Sequence, residues 1–170
     1  LALFGDSFTH GDGVAFENTW GFLLETNLLK AGVAAEVLNF GVCGYGMDQA
    51  LLRWEYLGKN YSPDIVIFGF QPENTKRNVN LLRPVYSPET GIPFAKPRFI
   101  LDKNTLRPIN IPVLPPDRLA PVLADITSWP LAPYEYWLKQ TECQYPFFYQ
   151  SKLAALGLDS WKRIINKLFS

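Results

Sequence analysis

The sequence is short of the residues that build metal and redox centres, with one His, two Cys and one Met among 170 residues. His10, Cys43 and Cys143 do not supply the ligand set of an ordinary zinc centre, so no metal is expected. A disulfide between cysteines this far apart has no support, and both are expected as buried free thiols. Charge of one sign is lacking as well. The 16 Lys+Arg balance 16 Asp+Glu, which removes the electrostatic case for nucleic acid or an anionic membrane surface. No apolar run approaches the ~18 residues needed to span a bilayer, and no signal-peptide pattern is present. Core-forming residues are abundant, at 48% hydrophobic and 15% aromatic, which excludes disorder as a description of the chain. A chain of this length suits one domain that buries about 70% of its unfolded surface.

The ends read as cut. Met47 is the only methionine, and Leu1 to Phe4 already form an apolar run of buried-strand type. At the other end, Asp159 is placed to cap a helix carrying Trp161, Ile164, Ile165 and Leu168, with no stop signal before Ser170. A fragment of a longer protein is therefore the expectation, and the compartment, bacterial cytoplasmic or exported, stays open.

Residues 1–82 alternate between strand and helix signals. Predicted strands are Leu1 to Gly5, Glu36 to Phe40 and Asp64 to Phe70. Between them lie a helix ending at Lys30, with Trp20, Leu23, Leu24 and Leu28 on one face, and a helix with Asp48 as N-cap. Buried strands separated by helices imply a parallel sheet covered on both faces. From Arg83 the composition changes, with eleven of the fourteen prolines between Pro84 and Pro133. No helical period is read there, only a hairpin of 98–101 with 106–111, and the segment 83–133 is expected to be a loop-rich insertion shaping access to a site. Residues 134–170 are expected to be helical, so that the whole forms one domain.

The sharpest local signal is Phe4-Gly5-Asp6-Ser7-Phe8-Thr9-His10-Gly11. A core strand ends, a glycine permits a tight turn, and a serine leaves the sheet where sites form in parallel α/β folds. The spacing is not the Gly-x-Ser-x-Gly elbow of α/β-hydrolases. Two further loops follow the next strands: Asn39-Phe40-Gly41-Val42-Cys43-Gly44-Tyr45-Gly46, and Gly69-Phe70-Gln71-Pro72-Glu73-Asn74-Thr75. If the strand order is 2-1-3, both flank Ser7. Acyl transfer needs a hydroxyl nucleophile and hydrogen-bond donors aimed at the developing oxyanion. The N–H groups of Ser7 and Gly44 and the Asn74 amide have that chemistry.

These three ordered blocks, within residues 1–80, resemble the SGNH (GDSL-type) hydrolase family. Gly5-Asp6-Ser7 is similar to the family's nucleophile block, Gly44 to its oxyanion glycine and Asn74 to its oxyanion asparagine. Where the family carries Asp after that asparagine this chain has Thr75, which leaves Asn78 as a lesser candidate for the role. The resemblance implies a flavodoxin-like three-layer α/β/α fold, incomplete here and carrying a Pro-rich insertion. It also implies hydrolysis or transfer of ester-linked acyl groups, on small-molecule, glycan or lipid esters, with no metal or organic cofactor.

The family's closing Asp-x-x-His block, which supplies the general base, is absent. The only histidine, His10, is three residues past the nucleophile and could reach Ser7 as a base if this turn were helical, with Asp6 or Asp12 as orienter; a loop side chain near the site mouth, with the base in residues beyond Ser170, is the better account. The 170-residue chain alone is then expected to show little esterase turnover. Glu73, Lys76 and Arg77 read as a solvated rim, and Trp129, Tyr134, Tyr136 and Trp137 as core or lid aromatics. Lys152, Lys162, Arg163 and Lys167 read as the polar side of terminal helices. One rival is a non-catalytic domain of this kind that binds carbohydrate or a protein partner. The other is an unrelated flavodoxin-like domain holding a phosphorylated ligand, although Gly41, Gly44 and Gly46 lack the Gly-x-Gly-x-x-Gly spacing.

Overall fold

A computed structural model describes residues 1–138 of the chain, and of Glu73 the backbone only. The expected terminal helix, with Asp159, Trp161 and the basic residues of its polar side, lies outside the described residues, as does Cys143. The chain divides into two compact units, Leu1–Asn78 and a second beginning at Val79, so the boundary falls a few residues before the composition change.

The first unit is built on β1 (Ala2–Phe4), β2 (Leu38–Asn39) and β3 (Val66–Phe68) in the order β2-β1-β3, all parallel. Ladder bonds such as Phe40 N–H to Leu3 O, 2.8 Å, and Gly69 N–H to Phe4 O, 2.7 Å, extend the sheet past the strand ends. Alternation along β1 sends Ala2 and Phe4 to one face and Leu3 to the other. Helix α3 (Met47–Tyr56) covers the Ala2 and Phe4 face with Ala50 and Trp54. Phe4 is fully buried, stacked on Phe40 at 4.9 Å between ring centroids and edge-on to Trp54 at 5.6 Å. Burial of one such ring is worth about 1.5–3 kcal/mol. Helix α2 (Trp20–Lys30) covers the Leu3 face, and a Cβ added at its buried Gly21 would lie 3.1 Å from the Leu3 side chain. The result is the three-layer α/β/α arrangement anticipated from the sequence.

Helix boundaries show where side-chain chemistry differs from the reading by period. Thr19 caps α2 by accepting the Phe22 N–H. Close approach at Gly21 turns Trp20 and Leu23 outward, 36% and 45% exposed, so the apolar face is narrower than expected. Asp48 is not the cap of α3 but lies within its first turn; the cap is Gly46, whose N–H donates to the Gln49 side chain at 3.3 Å.

In the second unit, the predicted hairpin forms as β4 (Arg98–Asp102) paired antiparallel with β5 (Thr105–Ile109). Lys103 and Asn104 take positive φ at its two-residue turn, as the twist of a tight hairpin requires. Contrary to expectation, the Pro-rich stretch also holds helices: α4 (Arg83–Tyr86) and α5 (Pro116–Ala124). Pro116 sits at the first helical position, where its missing N–H costs nothing. Leu119, Val122, Leu123 and Ile126 supply the three-and-four spacing that proline density obscured, and they pack with Leu81, Leu82, Ile109 and Trp129. Trp129 is thus a core aromatic.

Candidate active site

Phe4 ends β1, and Gly5 opens a turn in which Asp6 caps α1 (Ser7–His10). The Asp6 carboxylate, only 2% exposed, accepts the Phe8 N–H on Oδ1 at 3.0 Å. Its Oδ2 accepts a hydrogen bond from the side-chain amide of Asn74, itself 3% exposed. Asn74 lies in a 3-10 helix, Pro72–Val79, directly after β3. Two of the residues singled out in the sequence thus meet side chain to side chain. Ser7 is half-buried, and among the described residues its hydroxyl has no hydrogen-bond partner.

The loop after β2 is tied to the same turn. Val42 N–H donates to Gly5 O at 3.1 Å, and Asn39 donates through Nδ2 to Thr9 O at 2.7 Å while accepting Gly41 N–H on Oδ1 at 2.9 Å. Gly41 passes so close to α1 that a Cβ would lie 2.7 Å from the Thr9 carbonyl carbon and 2.9 Å from His10 Cα. Gly44 follows in a turn closed by Tyr45 N–H to Val42 O, 3.2 Å, and its φ of 81° is one that only glycine adopts without strain. Among the described residues the N–H groups of Ser7 and Gly44 have no hydrogen-bond partner.

His10 does not meet Ser7. It points across to the second loop, with Nδ1 3.2 Å from Gly41 O, a contact in which the ring nitrogen must be the donor. Asn78 is also engaged elsewhere, its Oδ1 accepting the Asp48 N–H at 3.4 Å at the start of α3. Thr75 donates to Pro72 O at 2.7 Å, a local turn bond.

Arg77, read as a solvated rim, is not one. Its side chain is 21% exposed, and Nη1 lies 3.7 Å from Asp6 Oδ2 while donating to Tyr45 O at 3.1 Å. In a 3-10 helix residues three apart eclipse one another, so Asn74 and Arg77 face the same carboxylate.

The expectation of buried thiols fails for Cys43, which is exposed. Partial desolvation of its sulfur, and then the charge and hydrogen bond of Asp12, push the thiol above its ordinary value. That is the reverse of what an activated nucleophilic cysteine needs. No group of three or more His, Cys, Asp or Glu side chains among the described residues is arranged to hold a metal ion, and no helix of the described residues is long and apolar enough to cross a membrane.

No protein-family model matches the chain, and no curated protein matches it. Two solved structures show a likeness. A mutant of the esterase AlinE4 is 26% identical at a TM-score of 0.41, over 45% of this chain and 42% of that one. AlinE4 itself, described as an SGNH-hydrolase family esterase, is 25% identical at a TM-score of 0.37, over 45% of this chain and 46% of that one. The matched part is thus less than half of either protein.

Proposed function

We propose that the chain is part of an SGNH-type serine hydrolase or acyltransferase acting on ester-linked acyl groups, with Ser7 as nucleophile. The observation that carries this is the Asp6–Asn74 hydrogen bond, which brings the asparagine after β3 to the turn that presents Ser7. The unpartnered N–H groups of Ser7 and Gly44 add two donors of the kind an oxyanion needs. In this reading the Ser7 Oγ adds to the ester carbonyl carbon, and the carbonyl oxygen takes up the negative charge. Collapse of the tetrahedral adduct expels the alcohol and leaves the acyl group on Ser7, for transfer to water or a second alcohol. Gly5 gives the turn its clearance, and Asp6 holds it.

The serine proton needs an acceptor, because a hydroxyl is a weak nucleophile at neutral pH. Among the described residues no hydrogen bond joins His10 to the Ser7 hydroxyl, and the His10 Nδ1 is turned to Gly41 O, so we assign the base to a histidine outside residues 1–170. The test is labelling of the full-length protein with a fluorophosphonate. Modification of Ser7 that is abolished by Ser7→Ala and retained by His10→Ala is expected. Absence of label on Ser7 in a folded sample removes the nucleophile assignment and favours a non-catalytic domain that binds carbohydrate or protein.

A further inference from the structure

Arg77 has no part in the chemistry above, yet one guanidinium connects all three loops. It stands in the helix after β3, hydrogen-bonds the carbonyl of Tyr45, which follows Gly44 after β2, and faces the carboxylate of Asp6, which precedes Ser7 after β1. We propose that Arg77 is a positioning residue of the Ser7 site, holding Asp6 and the Gly44 loop in the arrangement that presents Asn74. The inference rests on Ser7 being the nucleophile.

The two contacts differ in kind. At 3.1 Å the bond to Tyr45 O is a directed hydrogen bond, whereas 3.7 Å to Asp6 Oδ2 is an ion pair without one. The first fixes the loop that carries Gly44. The second keeps a nearly fully buried carboxylate from standing beside neutral partners only, which is costly in a low-dielectric setting. Asp6 spends one oxygen on the Phe8 N–H and the other on Asn74. Its position therefore sets both the start of the Ser7 helix and the direction of the Asn74 amide. Both contacts are made at Nη1, whose two N–H groups diverge in the fixed plane of the guanidinium; a lysine ammonium has the charge on a flexible stem without that fixed geometry.

The experiment uses the full-length protein and two probes, the rate of fluorophosphonate labelling at Ser7 and the kcat and KM for p-nitrophenyl acetate. Arg77→Met is expected to slow labelling and lower kcat about tenfold, with KM changed less than about twofold, since a positioning loss appears in the transition state. Arg77→Lys should recover part of the rate and stands in where the Met variant does not fold. Because part of the Arg77 effect runs through Asp6 to Asn74 and part through the Gly44 loop, Arg77→Met should slow an Asn74→Ala protein by clearly less than it slows the wild type. Wild-type labelling rates in a folded Arg77 variant, or losses that multiply in the double variant, overturn the inference and leave the serine reading intact. A rate that falls only in step with the folded fraction, followed by circular dichroism, also overturns it. Failure of the wild-type protein to label at Ser7 removes the serine reading, and the inference with it.

Discussion

The side-chain amide of Asn74 donates to the carboxylate of Asp6, a residue 68 positions earlier in the chain. Both groups are almost wholly buried, so neither has water to fall back on. Each exists in this position because the other does, and the turn that carries Ser7 is fixed by the pair.

Removing the carboxylate should therefore cost more than an ordinary helix cap. Asp6→Ala loses the acceptor for the Phe8 N–H, about 1 kcal/mol for a cap, and strands the Asn74 amide, a further 1–3 kcal/mol or so. The expected destabilisation is about 2–4 kcal/mol, read from urea unfolding. Asp6→Asn, which keeps one oxygen but loses the charge facing Arg77, should fall between it and wild type. An Asp6→Ala protein as stable as wild type would show that the pair does not hold the turn.

A second buried carboxylate governs the other unit. Glu135 is fully buried and accepts the N–H groups of Leu81 at 2.6 Å and Leu82 at 2.9 Å, and that of Trp137 at 3.3 Å. Burial pushes its carboxyl above the ordinary glutamate value, and the backbone bonds and the charge of Arg98 only partly offset this. The folded chain thus holds the proton more tightly than the unfolded one. The associated stability is full below the ordinary glutamate value of about 4.3 and declines as pH rises through the raised one. Relative to Glu135→Gln, which cannot titrate, the wild type should lose ground as pH climbs from the ordinary glutamate value of about 4.3 toward neutrality. Parallel stability profiles for the two proteins, from denaturant titrations across that range, would contradict this.

Cys43 offers a third measurement. Its thiol is held protonated, and because the residue is exposed, Asp12 is the part of that influence a substitution can remove. Alkylation of Cys43 by iodoacetamide, followed by mass spectrometry of its peptide, should be slow near neutral pH and rise only at alkaline pH. Asp12→Asn should accelerate it about two- to five-fold near neutral pH, the thiolate being the reactive form. An unchanged rate would place Asp12 outside the thiol's environment.

Much of the first unit was legible in the sequence because β1, buried at every position, and β3, half-buried throughout, are continuous apolar runs that need no alternation to be seen. Ala2 to Phe4, Leu38 to Asn39 and Val66 to Phe68 all fall inside the predicted strands, in the anticipated order. What escaped depended on partners distant in sequence. Nothing local marks Asp48 as other than a cap until Gln49 and Asn78 are seen to serve that end of the helix. Arg77 looked like a surface cation because the carboxylate it faces lies in another loop. In the second unit the helix is obscured by its prolines. Pro116 stands at the first position of α5, Pro121 lies inside it, and the apolar spacing of Leu119, Val122, Leu123 and Ile126 is intact.

The buried Thr9 sits between Gly5 and Gly69, and a methyl group on either glycine would strike its hydroxyl. The gap between the first and third strands at their exit is thus gauged by one small branched side chain acting as a spacer. Positions 5, 9 and 69 form a three-part fitting in which no part can be enlarged by itself. Any lineage that widened one of them would have to trim another in compensation, so the three are expected to drift together or not at all.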